Sequence, residues 1–119
     1  MNPKVLLLAQ AIAQAEGFNA PGSLPQRCNN PGDLEMGDVG CGVDQGKTIF
    51  PNEQAGWTAL ENQVDLMLTG KSHVYKPNMT LLTVADLYTG GDMAPAWAQI
   101  VAHKLGISVV NTLSEYYNS

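Results

Sequence analysis

Val5, Leu8, Ala9 and Ile12 recur three and four residues apart near the start of the chain, and the next position on that apolar stripe is Glu16. A carboxylate on a core-facing stripe is costly unless it is paired, hydrogen-bonded or protonated. Gly17 follows and supplies the left-handed residue that closes helices, so Glu16 stands at a helix C-terminus, where the macrodipole disfavours negative charge. Both effects push a carboxyl pKa upward. An acid that keeps its proton near neutral pH is what general-acid catalysis needs. The plainer alternative is a Glu16 that rotates off the stripe into water, as surface glutamates commonly do.

Other acids follow in and around one loop: Asp33, Glu35, Asp38, Asp44 and Glu53. Cleavage of a glycosidic bond commonly uses two carboxyl groups, one on each side of the scissile bond. Asp33, Glu35 and Asp38 are the candidates for a second carboxylate beside Glu16; each is equally an ordinary solvated loop acid. His73 and His103 each stand alone, with no serine or cysteine at a nucleophile-elbow spacing, so both read as surface or packing residues. Cys28 and Cys41 flank a loop that a disulfide would tie down by roughly 2–3 kcal/mol, or they are two free thiols in a reduced compartment. No C-x-x-C or Cys/His cluster is present, and no metal or other cofactor is expected. Trp57 and Trp97 sit on helical stripes and read as core, whereas Tyr75 and Tyr88 fall at loop or helix ends from which a hydroxyl can reach a groove.

The elements that must position these residues read as one domain spanning 1–119, long enough for a real core. Charged residues are only 14% of the chain and apolar ones 45%, which excludes disorder. Net charge is −5 and the six basic residues are scattered singly, which argues against nucleic acid and against an anionic membrane surface as partners. Val5–Ala9 after Lys4 faintly resembles a signal peptide, but Gln10 and Gln14 interrupt it and the apolar run is too short to span a membrane. It reads as a structural helix instead, with Asn2 as N-cap and Pro3 at its first position.

Residues 18–46 carry too many Pro and Gly for a regular period, and within them Asn29-Asn30-Pro31-Gly32 reads as a turn. A long loop directly beyond an acid is where a ligand-contacting wall is expected. Lys47–Phe50 is a strand whose partner is Leu34–Met36 or Val39–Val43, giving a small antiparallel flap. A second helix opens at Pro51 or Asn52 and stops at Gly70, with Trp57, Leu60, Val64, Met67 and Leu68 inward. Gly56 within it suggests close approach of another backbone, that of the first helix being the candidate.

After a loop over Lys71–Met79, Thr83-Val84-Ala85-Asp86 fits a capping box that starts a short helix ending near Gly90. Asp92 is the expected cap of a helix over Met93–Leu105, with Trp97, Ile100, Val101 and Leu105 inward, and Ser108 the expected cap of a last helix over Val109–Tyr116. The class is α+β, mainly helical, with about five helices and one small β-flap.

AIAQAEGF at Ala11–Phe18, NNPGDL at Asn29–Leu34 and GKTIFPNEQAGWTALENQV at Gly46–Val64 together resemble the lysozyme-like superfamily. TLLTVADLYTGG at Thr80–Gly91 and AWAQIVAHKLGIS at Ala96–Ser108 are similar to the closing helical part of such domains, so the likeness covers nearly the whole chain. Within that superfamily the chain resembles small muralytic domains of phage and bacteria, related to lytic transglycosylases and goose-type lysozymes. The resemblance implies a helical lobe with a substrate groove beside the β-flap. It also implies cleavage of the β-1,4 bond between N-acetylmuramic acid and N-acetylglucosamine, with peptidoglycan glycan strands as the partner of a monomeric protein acting at the cell wall.

The resemblance implies Glu16 as the catalytic acid at the end of a core helix, with Asn30 in the turn after it, Phe50 at the end of the flap strand and Tyr88, similar to a groove tyrosine of many lytic transglycosylases, as substrate-binding residues. The chain departs from the better-known pattern in having Gly17 after the acid, where many transglycosylases have serine, and in lacking a G-L-M-Q run. Lytic transglycosylase chemistry is the first expectation. A hydrolytic lysozyme using a second carboxylate, or a non-catalytic wall-binding or virion structural module, are the alternatives, since fold does not fix function.

Overall fold

A computed structural model describes residues 1–35 and 42–119. Met36–Cys41 lie outside the described residues, and with them Asp38, Cys41 and therefore the expected disulfide. The order is α1 (Pro3–Ala15), α2 (Leu24–Arg27), β1 (Gly42–Asp44), β2 (Lys47–Ile49), α3 (Glu53–Thr69), α4 (Leu81–Tyr88), a 3-10 turn (Gly91–Met93), α5 (Ala94–Leu105) and α6 (Leu113–Tyr117). The class is the expected mainly helical α+β, with six α-helices among the described residues rather than five.

Helix α1 is the hub. It packs on α5 and on α3, while α4 packs on α5. Val5, Leu8, Ala9, Ala11, Ile12 and Ala13 are all buried, so the inward face of α1 is wider than the four-residue stripe. Small residues at Ala9, Ala11 and Ala13 let neighbouring helices approach. Asn2 Oδ1 accepts from the Lys4 backbone N–H at 2.8 Å, which makes it the expected N-cap. At the other end of the chain, Tyr116 donates its hydroxyl to the Lys4 carbonyl at 2.7 Å, and the Lys4 ammonium donates to the Tyr116 carbonyl at 3.0 Å. The C-terminal helix is thereby clamped onto the first turn of α1.

The flap is antiparallel, pairing Gly42 with Ile49, Val43 with Thr48 and Asp44 with Lys47. Gln45 and Gly46 both have positive φ, 51° and 81°, as a two-residue hairpin turn requires. Both expected partners of β2 contribute, because Glu35 bridges Lys47 and Thr48 N–H donates to the Leu34 carbonyl at 3.0 Å. The strand stops one residue before Phe50, whose N–H turns to the Cys28 carbonyl at 2.9 Å.

Several expected boundaries move. Helix α4 begins a turn earlier than Thr83, with Thr80 as its cap, because Leu81 belongs to the buried stripe with Val84 and Ala85. Asp92 caps nothing; it lies in the exposed 3-10 turn that leads into α5. Ser108 forms a turn with Asn111, and the last helix starts at Leu113 behind a reciprocal Thr112/Glu115 capping box. Helix α2 was not expected; Ser23 caps it, with a proline in its first turn. Gly56 does mark a close approach, though of the 29–31 loop and not of α1: a Cβ there would sit 1.8 Å from the Asn29 carbonyl oxygen.

Candidate active site

Glu16 is the C-cap residue of α1, with helical φ and ψ of −81° and −4°. Gly17 at φ 81° then turns the chain away. The carboxyl group is therefore fixed by a rigid helix at the edge of the core, half-buried. Trp97 on α5 is 3% exposed and donates its indole N–H to Glu16 Oε2 at 2.6 Å. Burial is the largest influence on Glu16 and raises its pKa from 4.5 to about 7. The Trp97 hydrogen bond pulls it down, the charge of Asp33 pushes it up, and the charge of Lys47 pulls it down again.

The loop from Asn29 to Leu34 brings Asp33 to this acid. Asn30 anchors it: fully buried, it donates from Nδ2 to the Leu34 and Thr48 carbonyls at 2.9 and 3.0 Å and accepts the Leu34 N–H at 2.8 Å. Tyr88 at the end of α4 donates its hydroxyl to the Gly32 carbonyl at 2.6 Å. Space is tight at that point: a Cβ would lie 2.7 Å from Leu60 Cδ1 and 3.0 Å from the Tyr88 hydroxyl, so a side chain there would require the Leu60 tip to shift. The next residue, Asp33, takes a left-handed φ of 51°. Its charge is one of the influences that raise the Glu16 pKa. Lys47 on β2 stands 3.5 Å from Asp33 Oδ2 and 3.6 Å from Glu35 Oε1, while Asp33 Oδ1 is buried with no hydrogen-bond partner among the described residues.

Asp33 opens into a cleft of about 320 Å³ walled by Gly32, Leu34, Lys47, Tyr75, Leu87 and Tyr88 among others. Aromatic rings run inward from it: Tyr75 to Tyr88 at 6.1 Å between centroids, then Tyr88 to Trp97 at 5.2 Å. Tyr75 is 6% exposed, and burial, then the charges of Glu16 and Glu35, push its hydroxyl up to about 12. Glu16 does not itself line the cleft; Asp33 and the Tyr88–Trp97 pair connect it to that space.

No family model, curated protein or solved structure matches this chain. The site's chemistry therefore rests on its own geometry.

The expected site residues divide. Glu16, Asp33 and Tyr88 gather at one place. Asn30 and Phe50, expected to border a substrate, are 0% and 2% exposed. All of Asn30's side-chain groups are used inside the loop, so it shapes the site without reaching a ligand. Phe50 faces a second cavity, of about 640 Å³, against α3. Glu35 lines the cleft with a side chain that is 80% exposed, and Asp38 lies outside the described residues. His73 and His103 are exposed, and no metal-ligating group of three exists among the described residues. Cys28 is buried, and burial is the main reason its thiol pKa is raised. Trp97 was expected only as core; its spacing gives no hint that its indole N–H meets an acid 81 positions earlier.

Proposed function

We propose that this chain cleaves the β-1,4 bond between N-acetylmuramic acid and N-acetylglucosamine in peptidoglycan, as a lytic transglycosylase does, with Glu16 as general acid and then base. The observation that carries the reading is a carboxyl group held half-buried at a helix end, with a pKa near 7, beside a cleft walled by tyrosines. At neutral pH a large fraction of Glu16 is protonated and ready to donate.

The proton passes from Glu16 to the glycosidic oxygen as the C1–O bond breaks and positive charge builds on the muramyl ring. The muramyl C6 hydroxyl then attacks C1 and gives its proton to Glu16, closing a 1,6-anhydro ring. The acid is restored and no cofactor is consumed. Val74 and Leu87 beside Tyr75 and Tyr88 offer the apolar wall that a pyranose face packs against.

A non-catalytic wall-binding module is the second reading, favoured by the absence of Glu16 from the cleft's lining.

Digestion of purified cell walls followed by mass spectrometry of the released glycans separates these. Anhydro-muramyl ends that vanish with Glu16→Gln are expected. Reducing ends would mean hydrolysis, and co-sedimentation without release would mean binding alone. A Glu16→Gln variant as active as the wild type would overturn the assignment.

A further inference from the structure

Trp97 lies deep in α5, 3% exposed, and its indole N–H reaches Glu16 Oε2 at 2.6 Å across the packed pair of α1 and α5. A buried indole N–H needs an acceptor, but a carboxyl group taken half out of water costs more than one hydrogen bond returns. A backbone carbonyl or an amide would satisfy the ring with a smaller penalty. The pairing is therefore explained from the acid's side, with the indole in place for Glu16. The ring is held firmly: it packs on Tyr88 at 5.2 Å between centroids, and the Tyr88 hydroxyl is tied to the Gly32 carbonyl at 2.6 Å. Trp57, the other tryptophan, is the contrast, since its N–H meets Glu53 at 3.1 Å on one exposed stretch of helix, four residues away.

We propose that Trp97 is the positioning residue of this site: its indole N–H seats Glu16 Oε2, so that Oε1 is the oxygen that gives up and takes back the proton. This deepens the glycosidase reading and rests on it for its consequence in turnover. In a protonated carboxyl group the carbonyl oxygen is the better acceptor, so the oxygen bonded to the indole is the one without the proton. Turning the carboxyl group away breaks the Trp97 bond and is disfavoured for that reason. An N–H bond to an ionised oxygen is roughly twice as strong as one to a neutral oxygen, so this bond tightens as the proton leaves. One proton passes from Oε1 to the leaving oxygen, the proton of the attacking hydroxyl returns to Oε1, and the indole keeps its own throughout.

The other groups acting on Glu16 are Asp33 from the 29–34 loop, which raises its pKa, and Lys47 from β2, which lowers it; Tyr75 in turn feels the Glu16 charge. All three stay in place when only the indole donor is removed. Replacing Trp97 by benzothienylalanine does this, because sulfur stands where the N–H was and the ring keeps its shape. Trp97→Phe also removes the donor, but leaves a smaller ring. Trp97 is not among the residues walling the cleft, so substrate affinity should be spared. The benzothienyl protein should lose roughly fivefold in kcat with KM unchanged. Its Glu16 midpoint should rise by about half a pH unit, taking the alkaline limb of activity with it.

The test is a pH titration of the indole 1H–15N resonances, with carboxyl 13C NMR of Glu16 and wall-digestion rate against pH in the wild type and the benzothienyl protein. The two tryptophans give two indole signals, told apart by Trp57→Phe. The Trp97 signal should move with the Glu16 midpoint and lose that movement in Glu16→Gln. A Trp97 signal that ignores the Glu16 midpoint overturns the proposal, whether or not the protein cleaves walls. So does a benzothienyl protein with wild-type kcat, or one slowed equally at every pH with its limb unmoved, which would make the ring structural only. Linked titrations and a raised midpoint in a protein that releases no glycan would sustain the Trp97–Glu16 pair while removing the glycosidase reading.

Discussion

Asn30 and Asp33 are three residues apart in one loop, and their surroundings are opposites. Asn30 is fully buried, and each of its side-chain polar groups has a partner within 3.0 Å. Asp33 keeps a buried oxygen with no partner among the described residues, a left-handed backbone, and a charge that acts on Glu16. A satisfied buried polar group fixes a backbone, since removing it would orphan the groups it serves. An unsatisfied one stores free energy at a place where a proton can move. Asn30 thus belongs to the architecture, whereas Asp33 stands with Glu16 where the chemistry is proposed. The same contrast runs along α1, whose stripe is apolar for three turns and then ends in an acid.

The contrast breaks most visibly at Glu16. Glu16→Gln should cut glycan release about a thousandfold, the scale of a lost general acid, while circular dichroism stays unchanged. The architectural side should show in stability. Gly56→Ala puts a methyl against the Asn29 carbonyl and should cost about 3 kcal/mol in urea denaturation. Asn30→Ala orphans the Leu34 N–H and two carbonyls and should cost about 2–3 kcal/mol.

Glu16→Gln should also act on stability, in the other direction. The folded pKa, about 7, lies above the unfolded 4.5, so the native state binds more protons between those values. Stability is then fully present below about pH 4.5 and declines as pH rises through 7. Gln removes that decline and should gain about 1–2 kcal/mol at pH 8 and nothing at pH 4. Thermal melts at the two pH values check this. The smallest effect is Trp97→Phe: loss of the indole donor should raise the Glu16 midpoint by about half a pH unit, read by NMR.

The features legible in the sequence are those set by neighbours in the chain. Asn2-Pro3, the stripe into Glu16, Asn52 and the closing Gly70 act through local bonds, and the structure has them as expected. Thr112-x-x-Glu115 was equally local, and Ser108 drew attention from it because both can cap. Long-range facts were not legible. Gly56 announces a close approach but not its partner, since the Asn29 loop and α1 leave the same mark on a helix. Trp97 fits a core stripe whether or not its N–H meets an acid. Asn30 and Asp33 stand in one turn-forming run, and composition cannot say which side chain faces inward with partners and which without. Only the crossing of β2, α4 and α5 around that loop decides it.

The proposed activity depends on one carboxyl group keeping its proton where others have lost theirs. Carboxyl 13C NMR of the unmodified protein, followed from pH 3 to pH 9 with Glu16 assigned by its Gln variant, measures this directly. A midpoint near 7 is the predicted result. A midpoint near 4.5, the value of a glutamate in free solution, would contradict it.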